Sequence, residues 1–190
     1  LLIDPTSSYA QAAAMAMGRA MDDVIITAAT GTAYTGETGS GTESAQTAIA
    51  ASVGTGTGLN ITKLRTAKEL LDKADVDPSI PRHLVCGPEQ ITNLLGTTEV
   101  TSSDFNTIKA LVHGEVDSFL GFKFTTSNRL AKSGNDRTCI AYAQDGITLG
   151  IGKDISARID ERADKSYATQ VYYCQSIGST RMEQAKVVPI

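Results

Sequence analysis

Three stretches of this sequence bring together residue types that could do chemistry. The first holds His83 and Cys86, the only close histidine–cysteine pairing in the chain and the ingredients of a thiolate–imidazole nucleophile. An i,i+3 spacing on a strand sends the two side chains to opposite faces. The pair therefore reads as a core thiol beside a surface imidazole. The second, Gly31-Thr32-Ala33-Tyr34-Thr35-Gly36-Glu37-Thr38, copies the spacing of a phosphate-binding loop, but Glu37 stands where that loop needs a lysine and would repel phosphates. Such a loop also follows a strand and opens a helix, whereas here a helical pattern precedes and glycines follow. The later GTGTG at 54–58 lacks the full dinucleotide-binding spacing and an upstream strand. The third, Leu84-Val85-Cys86-Gly87-Pro88, has the strand–turn–helix shape of a nucleophile elbow, with no serine or cysteine in its turn.

The remaining reactive types are sparse. The chain has two histidines, and His113 is placed near the end of an expected helix, where a partly protonated imidazole is favourable. Neither sits in a carboxylate cluster, so the ordinary zinc and general-base constellations cannot be assembled. Cys86, Cys139 and Cys174 are odd in number, far apart and each within a strand-like run. They read as buried reduced thiols of a chain made in a cytosol, not as a disulfide or metal framework. The expectation is no catalytic residues, no metal and no cofactor.

The elements that would position these residues follow from composition and periodicity. At 190 residues, 41% hydrophobic and 20% charged, the chain suits one domain, or one domain with a subsidiary lobe. A net charge of -4 gives no general attraction for nucleic acid or anionic lipid. No run of about 18 apolar residues is available to span a membrane. The chain begins Leu1-Leu2-Ile3 without a methionine or a basic signal region, the look of a truncated or processed product.

Asp4 or Thr6 can cap a first helix, with Pro5 in its first turn and Gly31 as a left-handed stop. Tyr9, Ala13, Met17, Ala20 or Met21, Val24 and Ala28 recur at three- and four-residue steps along it. A helix of about 25 residues is roughly 37 Å long, the length of a strut. The 28 residues from Gly31 to Gly58 include seven glycines and read as a flexible or hairpin-like excursion. Asn60 or Thr62 starts a second helix with Ile61, Leu64, Leu71 and Ala74 inward, and Lys63, Arg65, Lys68, Glu69, Asp72 and Lys73 on a charged face. Asp77-Pro78 and Ile80-Pro81 end it. Arg82–Cys86 is a buried strand, followed by a Pro88-started helix carrying Ile91, Leu94 and Leu95.

A further helix is expected on Phe105, Ile108, Leu111 and Val112, then a strand pair over Glu115–Thr126 bent at Gly121. Thr138–Ala143 and Ile147–Gly152 flank Gln144-Asp145-Gly146, a hairpin signal. Ile155, Ala157 and Ile159 alternate with polar residues as in a half-buried strand. After them Arg158, Asp160, Glu161, Arg162, Asp164 and Lys165 put both signs of charge at one exposed turn. That turn serves either solubility or polar contact with neighbouring subunits, and alternating charge suits the second.

Four stretches carry a resemblance to a known family: RAMDDVIITAATG followed by AYTGETG; KLRTAKELLDKADVD leading to RHLVCGPEQITNLL; SSDFNTIKALVHGEVDSFLGFKFTTSNRL; and DISARIDERADKSYATQVYY with IGSTRMEQAKVVPI. In that order they resemble the major capsid protein of a tailed bacteriophage, over most of the chain. The resemblance implies an α+β tailed-phage capsid fold, shared with encapsulin-type shells, with a long spine helix, an axial α/β lobe and a peripheral antiparallel β region. Residues 1–58 would form the spine helix and the Gly-rich excursion of the peripheral domain, 59–152 the axial domain, and 153–190 the return strands and C-terminus. The family's N-terminal arm and extended loop, which precede the spine helix, have no counterpart in this sequence.

It further implies a structural subunit of an icosahedral virus shell, self-assembling into pentamers and hexamers around a packaged genome. Subunit contacts are expected at Arg158, Asp160, Glu161, Arg162, Asp164, Lys165 and Glu37. The partners would be copies of the chain, with scaffold, portal or decoration proteins besides, no specific nucleic-acid recognition and no membrane. The location would be the virion, after synthesis in the host cytoplasm. Two other readings stay open: a nanocompartment shell of the same fold, and a small-molecule-binding α/β enzyme using the Gly31–Gly58 loop.

Overall fold

The computed structural model describes residues 6–54, 58–96, 118–134 and 136–190. The helix expected on Phe105–Val112, His113 and the start of the Glu115–Thr126 strand pair lie outside the described residues. The chain divides into two compact units, one of residues 1–25 and 149–179, the other of 26–148 and 180–190. Among the described residues no helix is long and apolar enough to cross a membrane.

The first unit holds most of helix α1 (Thr6–Thr30) and a two-stranded ribbon of β9 (Ile147–Arg162) and β10 (Ala168–Arg181). From Ala10 to Met21 the half-buried positions on α1 are Ala10, Ala13, Met17, Ala20 and Met21, the three- and four-residue rhythm of one helix face, and from Asp23 to Ile26 every position is half-buried. Tyr9, expected on that face, is 64% exposed, because the stripe begins one position later, on Ala10. Two side chains of β10 reach the helix backbone: the Tyr173 hydroxyl donates to the Ala10 carbonyl at 3.3 Å and the Gln175 amide to that of Met17 at 3.5 Å.

The second unit is built on a five-stranded mixed sheet in the order β11-β8-β3-β5-β4. Its strands are β3 (Arg82–Cys86), β4 (Ser118–Phe119), β5 (Phe122–Thr126), β8 (Ile140–Ala143) and β11 (Val187–Pro189). Central β3 runs parallel to β5 and antiparallel to β8. Alternation along the strands gives each face its own cluster. One packs Leu84, Cys86, Phe122, Ala141 and Val188 with Leu64, Ala67 and Leu71 of α2 (Ile61–Lys73) and Leu94 of α3 (Pro88–Leu95). The other gathers Ile140, Val187, Val85 and Tyr142 with Leu130, and with Ile26 and Ala29 from the last turns of α1. Each fully buried leucine contributes about 1.5–3 kcal/mol of transfer free energy.

Local signals explain the joints. Asn60 is the N-cap of α2, its Oδ1 accepting from the Lys63 amide at 2.8 Å, and its Nδ2 ties down the preceding loop through the Val53 carbonyl at 2.9 Å. The expected prolines lie beyond the true stop: the helix closes at Asp75, which takes a left-handed φ of 54° while the amides of Asp75 and Val76 return to the carbonyls of Asp72 and Leu71. Leu120 and Gly121, both at positive φ, make the two-residue turn joining β4 to β5. Small antiparallel pairs complete the unit, β1 (Ala33–Thr35) with β2 (Gly41–Glu43) and β6 (Lys132–Ser133) with β7 (Asp136–Arg137).

Several local expectations are corrected. Gly31 ends α1 but is not left-handed. A Cβ there would sit 2.7 Å from the Thr27 carbonyl oxygen, so glycine is needed for close approach. Lys63 is buried instead of lying on the charged face, its ammonium donating to the Gly58 carbonyl at 2.9 Å. On that charged face Glu69 pairs with Lys73, and Asp72 with Arg82 of β3, each at 2.7 Å. The Gln144-Asp145-Gly146 turn forms, with the Gly146 amide on the Ala143 carbonyl at 2.8 Å. Its flanking strands part, however. Both edges of β8 are taken by β3 and β11, so β9 pairs with β10.

Candidate functional site

The phosphate-loop look-alike at Gly31–Thr38 contains β1 and the first part of its turn towards β2. A helix precedes it and a strand follows, so no helix N-terminus is presented to an anion. Glu37 lies in that turn, exposed. His83 and Cys86 do point to opposite faces of β3, along which buried and half-buried side chains alternate. The His83 ring stacks on Tyr142 with centroids 5.4 Å apart; burial, then the nearby Lys123 charge, lower its pKa. Burial pushes the Cys86 thiol up to about 12 and that of Cys139 to about 11, which leaves both as inert core thiols at neutral pH. Among the described residues no group of three or more His, Cys, Asp or Glu could hold a metal ion.

The feature that stands out is the long ribbon of the first unit. β9 has 16 residues, about 53 Å at 3.3 Å per residue. A lone two-stranded ribbon is marginal in water. Ile151, Ile155 and Ile159, spaced by four along β9, are 53%, 41% and 51% exposed, and Tyr172 of β10 is 50% exposed. The half-buried strand expected from the Ile155–Ile159 alternation is therefore open to solvent. Apolar side chains left uncovered at regular spacing mark a surface that gains by association.

Charged residues gather at the ribbon's turn. Arg158, Asp160, Glu161 and Arg162 occupy the end of β9, and Asp164 and Lys165 lie in the 3₁₀ turn Ala163–Lys165; all six are exposed. Ser166 and Tyr167 follow with left-handed φ of 54° and 59°, and the Tyr167 ring is 71% exposed. Arg162 grips Asp164 at two points, Nε on Oδ1 at 2.8 Å and Nη2 on Oδ2. That bond holds the Asp164 carboxyl below the usual carboxylate range. Of the six charges expected at one turn, only Asp164 and Lys165 lie in the turn itself and the other four on the end of β9, whereas Glu37 belongs to the other unit.

Two groupings escaped the sequence reading. Arg181, 3% exposed, donates to the carbonyls of Ala29 (3.2 Å), Gly31 (2.9 Å) and Glu43 (2.9 Å). It thereby caps the C-terminal end of α1, where unpaired carbonyls and the helix dipole favour a cation. Cys174, expected in a core, is half-buried on the ribbon, with the Lys153 ammonium 3.1 Å and the Ser156 hydroxyl 3.0 Å from its sulfur. No short-range pattern announces either contact.

Comparison with known proteins gives this geometry a family. No curated protein sequence matches. Among solved structures, a chain from Mycobacterium phage Che8 superposes with a TM-score of 0.67 at 20% identity, over 98% of this chain and 62% of that one. The capsid structure of cyanophage P-SCSP1u gives 0.63 at 16% identity, over 100% of this chain and 65% of that one. The mature capsid of bacteriophage PhiM1 gives 0.52 at 9%, over 67% and 44%. This chain therefore spans less than two thirds of the length of each, and at these identities the likeness is one of fold. The model of the family described as phage capsid protein matches residues 1–190, and the chain belongs to that family.

Proposed function

We propose that this chain is the major capsid protein of a tailed bacteriophage, a structural subunit that self-assembles into pentamers and hexamers of an icosahedral shell around the genome. The family match carries the reading, and the uncovered ribbon supports it with a physical motive for assembly. On this reading α1 is the spine helix, residues 59–152 supply the axial domain, and residues 1–58 and 153–190 belong to the peripheral domain. The ribbon's isoleucines pack against neighbouring copies. The turn formed by Arg158, Asp160, Glu161, Arg162, Asp164 and Lys165 fixes their register through charge pairing, with Glu37 as a further contact. Mixed signs at one turn suit a heterologous contact, in which different patches of identical chains meet and the rotation closes a ring.

Copies of the chain are its main partners, with scaffold, portal or decoration proteins joining the shell and no specific nucleic acid recognised. The product resides in the virion and is made in the host cytoplasm. Electron microscopy of particles formed by the expressed protein tests the proposal. The expected result is closed icosahedral shells whose five- and six-fold capsomers are made of this chain. A protein that stays monomeric under all assembly conditions, or shells that carry cargo enzymes and lack any genome-packaging vertex, would count against it.

A further inference from the structure

On the ribbon, three side chains of complementary reactivity meet outside the charged turn. Cys174 of β10 has the Lys153 ammonium 3.1 Å and the Ser156 hydroxyl 3.0 Å from its sulfur, both reaching across from β9. An open cleft of about 340 Å³ beside them is lined by Lys153, Ser156, Arg158, Asp160, Gln170 and Tyr172. The Cys174 side chain is half-buried, and its two neighbours, Lys153 and Ser156, form one wall of that recess. Cys86 and Cys139 are buried and have no such access.

We propose that Cys174 and Lys153 form a self-acylation site, in which the thiolate captures an acyl group from a small thioester and passes it to the lysine amine. In the first step the Cys174 sulfur attacks the thioester carbonyl. A new S–C bond forms, the carrier's S–C bond breaks, and the carrier leaves as a thiolate that takes a proton from water. In the second, the Lys153 ammonium gives a proton to the hydroxide left by the first step, and the resulting neutral amine attacks the same carbonyl. The C–N bond forms, the Cys174 S–C bond breaks, and the amide nitrogen gives its extra proton to water. Nothing is oxidised or reduced. Ser156 steadies the sulfur anion as donor, and the 3.1 Å separation places amine and thioester carbon within reach without strand movement. The Ser156 and Lys153 hydrogen bonds bring the Cys174 thiol down to about 7, so the nucleophilic form is well populated at neutral pH. Each event removes one positive charge from the ribbon that carries the contact turn.

The test incubates the full chain with the acetyl thioester of N-acetylcysteamine at neutral pH and maps acetylation by peptide mass spectrometry. Lys153 should acetylate at least about tenfold faster than the exposed lysines Lys123, Lys132 and Lys165, as expected of an intramolecular transfer. In Cys174→Ser that advantage should vanish. In Lys153→Arg the acetyl group should remain on Cys174 and be released by neutral hydroxylamine. Equal Lys153 acetylation in the wild type and Cys174→Ser would overturn the transfer. Absence of a hydroxylamine-sensitive acetyl group from Cys174 in Lys153→Arg would overturn the capture. Both positions carry solvent-accessible side chains, and a far-ultraviolet circular dichroism spectrum checks that each variant is folded.

Discussion

Arg181→Met removes a buried cation of the second unit that bonds three carbonyls, while leaving much of its volume filled. The guanidinium donates to three carbonyls, those of Ala29, Gly31 and Glu43, at 2.9–3.2 Å from a site 3% exposed. Hydrogen bonds from a charged donor contribute about 1.5–3 kcal/mol each. Offsetting this, the variant no longer buries a cation, and water can reach the half-buried Gly31 and Glu43 carbonyls. What persists is the cost of stranding the buried Ala29 carbonyl at the end of α1, where the helix dipole is also left uncompensated. A net loss of about 3 kcal/mol follows, a large share of a domain stability of roughly 5–15 kcal/mol. Urea unfolding followed by circular dichroism would measure it as a lowered midpoint at unchanged slope. Hydrogen exchange would speed first in the β1–β2 pair, because Arg181 is its link to α1. Arg181→Lys should recover part of the loss, since an ammonium cannot span all three acceptors. A loss below about 1 kcal/mol for Arg181→Met, with β1–β2 exchange unchanged, would refute the reasoning.

Other perturbations have equally definite signs. Asp75 holds a left-handed backbone at the end of α2, so Asp75→Gly should stabilise by about 0.5 kcal/mol and Asp75→Val destabilise by about 1.5 kcal/mol; the opposite order in thermal melts would contradict the assigned cap. Leu84 is fully buried at the centre of the sheet, and Leu84→Ala should cost about 3 kcal/mol in urea titration. Iodoacetamide should label Cys174 with a rate rising through pH 7, whereas Cys86 and Cys139, at about 12 and 11, stay unlabelled in the folded chain. With its folded pKa below the unfolded value, Cys174 favours the native state above about pH 8.5 and loses that contribution as pH falls through 7.

Much of the second unit was legible because its signals are local. Asn60 caps where a capping residue precedes an apolar rhythm, Arg82–Cys86 alternates as an inner strand, and Gly121 marks a two-residue turn. What was not legible depends on distant partners. Arg181 meets acceptors 138 to 152 positions earlier in the chain, and nothing near it in sequence distinguishes it from a surface arginine. The hairpin expected around Gln144-Asp145-Gly146 had the correct turn and the wrong partners, because β11, some forty residues on, claims the edge of β8. Lys63 looked solvated on a charged helix face, yet it is buried and its ammonium donates a hydrogen bond to the Gly58 carbonyl. At the candidate contact surface the charge run was legible as exposed, but four of its six residues extend strand β9 and only Asp164 and Lys165 lie in the turn. The isoleucines of β9 were legible as a strand but not as an uncovered one: alternation shows that a face is apolar, not that anything in the same chain covers it.

On the proposed function, this ribbon is a surface covered by other copies of the chain. The most direct test is the double variant Ile155→Asp/Ile159→Asp, at positions 41% and 51% exposed, assayed for shell assembly by analytical ultracentrifugation beside the thermal midpoint of the unassembled chain. The account predicts that assembly is lost while the midpoint moves by no more than a surface substitution does, about 0.5 kcal/mol in stability. Shells forming at wild-type yield would contradict it.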